Sequence, residues 1–293
     1  MNVTPLSHAA LRGRAEALAA PLPPLLARAE RLAASVLPGG HGRRRAGVGE
    51  TFWQFRPAVP GDPARSLDWR RSARSDGSFV RQTEWEAPQT VRLWCDTSRA
   101  MEFTGGDRAP KSDRARLVSL ALAVLLLRGG ERVGLLGGDP PRSGRARAER
   151  LALDLMAGAD ADYGEPPATT ADRNTRTGLV SDFLGEAGAT FALIRSAAAV
   201  GAPGTVLQVL DPSEEAFPYE GRTLFESMAG AIRFDTRAAG ALREDYRGRL
   251  AARREALRDA CRKAGWTFRV HHTDAPPAAA LRALWQDVAG AIA

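Results

Sequence analysis

From residue 91 onward, short apolar runs alternate with longer runs of helical period, and that alternation leaves few folds open. Runs of strand length fall at 91–96, 132–136, 177–182, 204–210 and 266–271. Residues 111–128, 147–157, 187–200, 239–264 and 277–292 have the length and spacing of helices. Strands that alternate with helices of this size form a parallel sheet covered on both faces. Segment 222–236, with Leu224, Phe225, Ile232 and Phe234, reads as an inserted hairpin. The expected class is α/β, with residues 91–293 as the sheet domain.

Two different segments precede it. Residues 1–40 read as an N-terminal helical extension: Leu11, Ala15 and Leu18, then Leu25, Ala29 and Leu32, recur at helical spacing. Pro21, Pro23 and Pro24 split the run into two helices. Residues 41–90 have short aromatic segments between Gly- and Pro-rich turns: Thr51 to Arg56, Ser66 to Arg70 and Ser78 to Glu86. Phe79, Arg81, Thr83 and Trp85 alternate with their neighbours at the strand period, so a small antiparallel unit is expected.

Composition narrows the function classes. The formal net charge is +7, but 39 of the 41 basic residues are arginine, spread along the chain among acids. A nucleic-acid footprint would gather them on one stripe with aromatics between. Two cysteines, Cys95 and Cys261, have no metal-ligand spacing and suit a reducing compartment. The longest apolar run, Leu117 to Leu127, is too short to span a bilayer, so the expectation is a cytoplasmic protein with no membrane span.

In open α/β sheets ligands bind outside the carboxyl ends of the strands. Asp96 and Ser98 follow the first strand, and Asp182 follows the strand at 177–182. Carboxylates and hydroxyls are hard oxygen donors suited to magnesium or calcium. Thr169, Thr170, Thr175 and Thr177 could add a hydroxyl. The alternative is that each aspartate caps the turn after its strand. Gly105 to Ser112 imitates a phosphate loop, but Pro110 stands where the last glycine belongs and lacks the N–H donor. Ser112 is instead expected to cap the following helix. Arg56, Gly61, Asp62, Arg65, Asp68, Trp69 and Arg74 form the densest polar and aromatic cluster. It reads as a salt-bridge network pinning the small unit to the sheet, or as a docking face for a protein. The four histidines, His8, His41, His271 and His272, give nucleophilic catalysis little support, and no G-x-S-x-G elbow occurs.

In order, Gly47-x-Gly49-Glu50, Arg56, Pro60-Gly61-Asp62, Arg65, Asp68-Trp69, Ala73-Arg74, Asp96-Thr97-Ser98, Lys111, Ser181-Asp182-Phe183, Asp211-Pro212-Ser213-Glu214 and Thr273-Asp274 resemble the bacterial family called domain of unknown function 58. The resemblance covers residues 41 to 285. It implies a Rossmann-like von Willebrand A-type sheet with helices on both faces, and a metal-ion-dependent adhesion site. Asp96 and Ser98 would supply its first loop, a threonine such as Thr170 its second, and Asp182 its third, around Mg2+. It further implies a non-enzymatic interaction module working with a MoxR-type AAA+ ATPase in assembly or maturation of a complex. Ala100 departs from the Asp-x-Ser-x-Ser pattern and removes one hydroxyl ligand. The alternative function is a metal-dependent hydrolase of phosphate esters using the same carboxylates.

Overall fold

A computed structural model describes residues 22–36, 45–74, 77–85, 88–228, 230 and 233–289. The first of the two expected N-terminal helices lies outside these residues. The described chain forms two units, one drawn from Gly40–Pro88 and the other from the N-terminal helix and Gln89 onward.

The larger unit is an α/β sandwich. Its elements are α1 (Leu22–Ala34), β3 (Thr90–Cys95), α3 (Lys111–Arg128), β4 (Arg132–Leu135), α4 (Arg145–Met156), β5 (Thr175–Ser181), α5 (Gly188–Val200) and β6 (Gly204–Leu210). There follow α6 (Pro212–Ala216), the hairpin β7 (Thr223–Glu226) and β8 (Arg233–Thr236), α7 (Arg243–Lys263), β9 (Thr267–His272) and α8 (Pro277–Ala289). Five strands pair in the order β4-β3-β5-β6-β9, all parallel. The period of two divides their side chains between two cores. Val91, Leu93, Cys95, Val180, Leu207 and Val209 face α1, α3, α4 and α8. Leu179 and Val206 face α5 and α7, where Leu193, Ile194, Leu257 and Cys261 meet them.

The N-terminal helix is part of this sandwich rather than an extension from it. Leu25, Ala29, Ala33 and Val36 are buried in the first core. Arg28 also grips Asp113 of α3 through two bonds of 2.8 and 2.7 Å.

The strand order fixes the place for a site. The chain leaves β3 for β4 on one side, then returns to β5 on the other side of β3. The reversal opens a crevice at the carboxyl ends of β3 and β5. Asp96 and Asp182 are the next residues after those strands.

The smaller unit pairs β1 (Arg45–Pro57) antiparallel with β2 (Phe79–Trp85), with Arg56 opposite Val80. The expected aromatic segment at 66–70 is extended only at Leu67 and Asp68, with Leu67 bridging Val80 in antiparallel fashion. It passes through a 3-10 turn, Ala64–Ser66, into the short helix α2 (Trp69–Ser72). Asp68 caps α2, accepting from the Arg71 amide at 2.9 Å.

Candidate functional site

Each loop at the crevice turns on a short polar side chain that bonds its own backbone. After β3, Asp96 Oδ1 accepts from the Ser98 amide at 2.9 Å, and Oδ2 accepts from Ser181 Oγ of β5 at 2.7 Å. After β5, Asp182 Oδ1 accepts from the Leu184 amide at 3.0 Å. Phe183 between them adopts φ 55°, an uncommon conformation for a bulky side chain and one that concentrates at functional sites. Asp96, Ser98 and Asp182 are all buried. Burial pushes the Asp96 carboxyl above its ordinary range; the Ser181 and Ser98 donors oppose that rise, and Asp182 adds to it.

The centre of the edge is Lys111, one of only two lysines in the chain, whose side chain is 1% exposed. Its Nζ lies 2.6 Å from Asp182 Oδ2 and 2.6 Å from Glu214 Oε1. It also lies 5.5 Å from the centre of the Phe103 ring. Burial alone would drive this ammonium toward neutrality; the two carboxylates reverse that and hold its pKa above the ordinary value. For Glu214 burial prevails, and its pKa is raised although Lys111 pulls it down.

Glu214 is held in place from below. Asp211 and Glu214 form a capping box around α6: Ser213 N donates to Asp211 at 2.9 Å, and the Asp211 amide donates to Glu214 Oε2 at 2.8 Å. Asp211 also accepts from Ser213 Oγ at 2.6 Å, Thr273 Oγ1 at 3.1 Å and Arg108 at 3.1 Å. Burial would raise its carboxyl, but these donors outweigh it and hold it well below the usual carboxylate range.

Several expected features sit elsewhere. Thr170 lines a cavity with Thr175 and Thr177 toward the start of β5, while Asp182 follows the end of that strand. Ser112 does not cap α3: the helix starts at Lys111, and the Ser112 hydroxyl is buried without a hydrogen-bond partner. Lys111 binds Glu214, a residue of the Asp211-Pro212-Ser213-Glu214 capping box whose pattern is readable in the sequence.

The residues present do not fit a divalent ion as they stand. Lys111 already fills the acceptor side of Asp182. The backbone at Gly164 closes over Asp96, so near that a Cβ there would lie 2.1 Å from Oδ1. Ala100 offers no oxygen from its side chain. Among the described residues, no three His, Cys, Asp or Glu gather around one point. The Ser98 hydroxyl, buried and unbonded, is the one feature a cation would explain. Adding Mg2+ or a chelator is accordingly expected to move the thermal midpoint by less than about 1 °C. A rise of several degrees in the wild type, lost in Asp96→Ala, would instead establish a bound ion.

The signature cluster of the smaller unit forms a local scaffold. Arg56 holds Asp62 in a two-bond fork of 2.8 and 2.5 Å, and the Val59 amide donates to Asp62 at 2.8 Å. Arg56 and the Val59 amide bring the Asp62 carboxyl down to about 2. Gly61 turns this loop at φ 104°, a region that disfavours any side chain. Arg65 lies in the 3-10 turn. Trp69 is 63% exposed, and Arg74 lines a cavity with Phe55, Arg70 and Arg71.

A Rossmann-like sheet with an acid–lysine cluster at its carboxyl edge, in a chain that also carries a unit built on the Arg56–Asp62 fork, defines the class. The chain belongs to the family described as protein of unknown function DUF58, whose model matches residues 54–256. Over 237 residues it is 28% identical to an uncharacterized protein of Mycobacterium bovis, covering 75% of this chain and 73% of the relative. Uncharacterized proteins from two strains of Mycobacterium tuberculosis match with the same identity and coverage. Among the described residues, no helix is long and apolar enough to cross a membrane.

Proposed function

We propose that this protein is a non-enzymatic interaction module that docks a protein partner at the carboxyl edge of its sheet. The observation that carries the reading is the Lys111 ammonium bonded to both Asp182 and Glu214. A catalytic edge needs a free base or nucleophile within reach of substrate. Here the edge carboxylates spend their lone pairs on Lys111, Ser181 and backbone amides. His271 gives no substitute: burial and the neighbouring Arg114 push its imidazole down to about 4, and it faces the Arg114 guanidinium.

In this reading Lys111 does the work expected of Mg2+, fixing the acidic loops as a rigid platform. The family resemblance supplies the partner, a MoxR-type AAA+ ATPase. The full chain, mixed with that ATPase in ATP, ADP or no nucleotide, is expected to be retained in at least one of the three states. Lack of retention in all three sinks the partnership. Metal-dependent hydrolysis of phosphate esters would require turnover that Asp96→Ala abolishes.

A further inference from the structure

Beside Glu214 the carboxyl edge opens into a cleft of about 400 Å³. Six aromatic side chains line it: Phe103, Tyr163, Phe217, Tyr219, Phe225 and Tyr246. They come from five separate segments, so the lining is a tertiary construction and not the face of one helix. Phe217 is the hub, 4.9 Å from Tyr246, 5.2 Å from Tyr219 and 5.7 Å from Phe225 between ring centres. It is held at φ 44°, a conformation that a bulky residue keeps only when its surroundings enforce it.

The ionisable groups at the wall carry a small net negative charge. Glu214, Asp245 and Arg249 are the ionisable groups there besides the tyrosines. Asp245 is paired with Arg249 at 3.1 Å, so the surplus negative charge lies with Glu214 and Asp182, two carboxylates that share the single Lys111 ammonium. Ring faces carry negative potential as well, and cations bind over them most strongly where water is excluded. Lys111 over the Phe103 ring already shows this kind of contact within the fold.

We infer that this cleft takes a cationic side chain, an arginine or lysine, presented by a polypeptide partner. The volume falls within the range of small-molecule pockets and admits one long side chain. The polypeptide origin rests on the rim. Phe234 on β8 stands directly opposite Phe225 on β7, hence on the same face of the hairpin, and is 51% exposed. A free amine in the cleft would leave that ring in water, whereas a chain carrying the cation would cover it. The inference deepens the docking reading above and rests on it for the partner being a protein.

The test is saturation-transfer NMR on the full chain with N-acetyl-arginine amide and its neutral isostere N-acetyl-citrulline amide. The arginine compound is expected to bind about tenfold tighter than the citrulline compound. Asp245→Lys, at an exposed rim position where folding is not at stake, is expected to weaken arginine binding about tenfold. Tyr246→Leu is expected to weaken it by a similar factor. Equal binding of the two compounds, or arginine binding untouched by Asp245→Lys, overturns the inference. Choline binding tighter than the arginine compound overturns it too, by assigning the cleft to a free quaternary amine. Retention of the ATPase without arginine binding fells the cleft inference and leaves the partnership standing. Arginine binding that responds to the variants, with no ATPase retained in any nucleotide state, does the reverse.

Discussion

Lys111→Met is expected to destabilise the protein by about 3–5 kcal/mol, the range for removing one partner from a buried ion cluster. Methionine matches the length of the lysine stem, so the loss is electrostatic rather than a cavity. It strands Glu214 and one oxygen of Asp182 without a cation. Urea unfolding followed by tryptophan fluorescence measures the effect as a lower midpoint at unchanged slope. The pH dependence identifies the cause. Lys111 has a folded pKa raised above its ordinary 10.5, so its contribution is complete below that value and fades as pH rises through the folded one. Glu214 also has a raised pKa, so its contribution is complete below 4.5 and is lost as pH rises through the folded value. The gap between wild type and variant should therefore be widest near neutrality. It should narrow in acid, where Glu214 takes up a proton, and again in strong alkali, where wild-type Lys111 gives one up. A gap that ignores pH would mean that Lys111 acts by packing alone.

Asp211→Ala is expected to cost about 3 kcal/mol, because it removes a buried charged acceptor and leaves its donors unmatched. It also undoes one half of the capping box that sets Glu214 in place. The linkage here has the opposite sign. The folded pKa of Asp211 lies below its ordinary 3.8, so its contribution is present above that value and is lost as pH falls through the folded one. The difference from wild type should hold steady from neutrality to about pH 4 and shrink only below it. Thermal melts across that range check both the size and the window. A difference already gone at pH 5 would show that the Asp211 carboxylate is not held by these donors.

The sheet was legible because parallel strands buried on both faces must be apolar almost throughout. Val206–Leu210 announces itself in that way, while Val91–Cys95 shows itself by alternating buried and half-buried positions. Asp96 and Asp182 were legible as well, since a polar residue ending such a run has to leave the core at the strand's carboxyl end. The segment between α4 and β5 has no periodicity, so only its path in space says which of its hydroxyls, Thr170 among them, lies near which edge. Ser112 failed as a cap because a cap is a geometry, and a serine one residue inside the helix start cannot adopt it.

What the sequence determined by itself was the class of sheet, its carboxyl edge, and the two aspartates placed there. Those follow from local rules: hydrophobic period, crossover length and the direction of the chain. What only the tertiary structure decided was the state of those aspartates. Lys111 lies far along the chain from Asp182 and from the Asp211–Glu214 pair, and Phe103, Tyr163, Phe217 and Tyr246 are likewise drawn from separate segments. Whether an acid meets a cation, a backbone amide or open water depends on which distant segments the fold brings against it. Electrostatic energy falls with distance in space, and distance along the chain does not enter it.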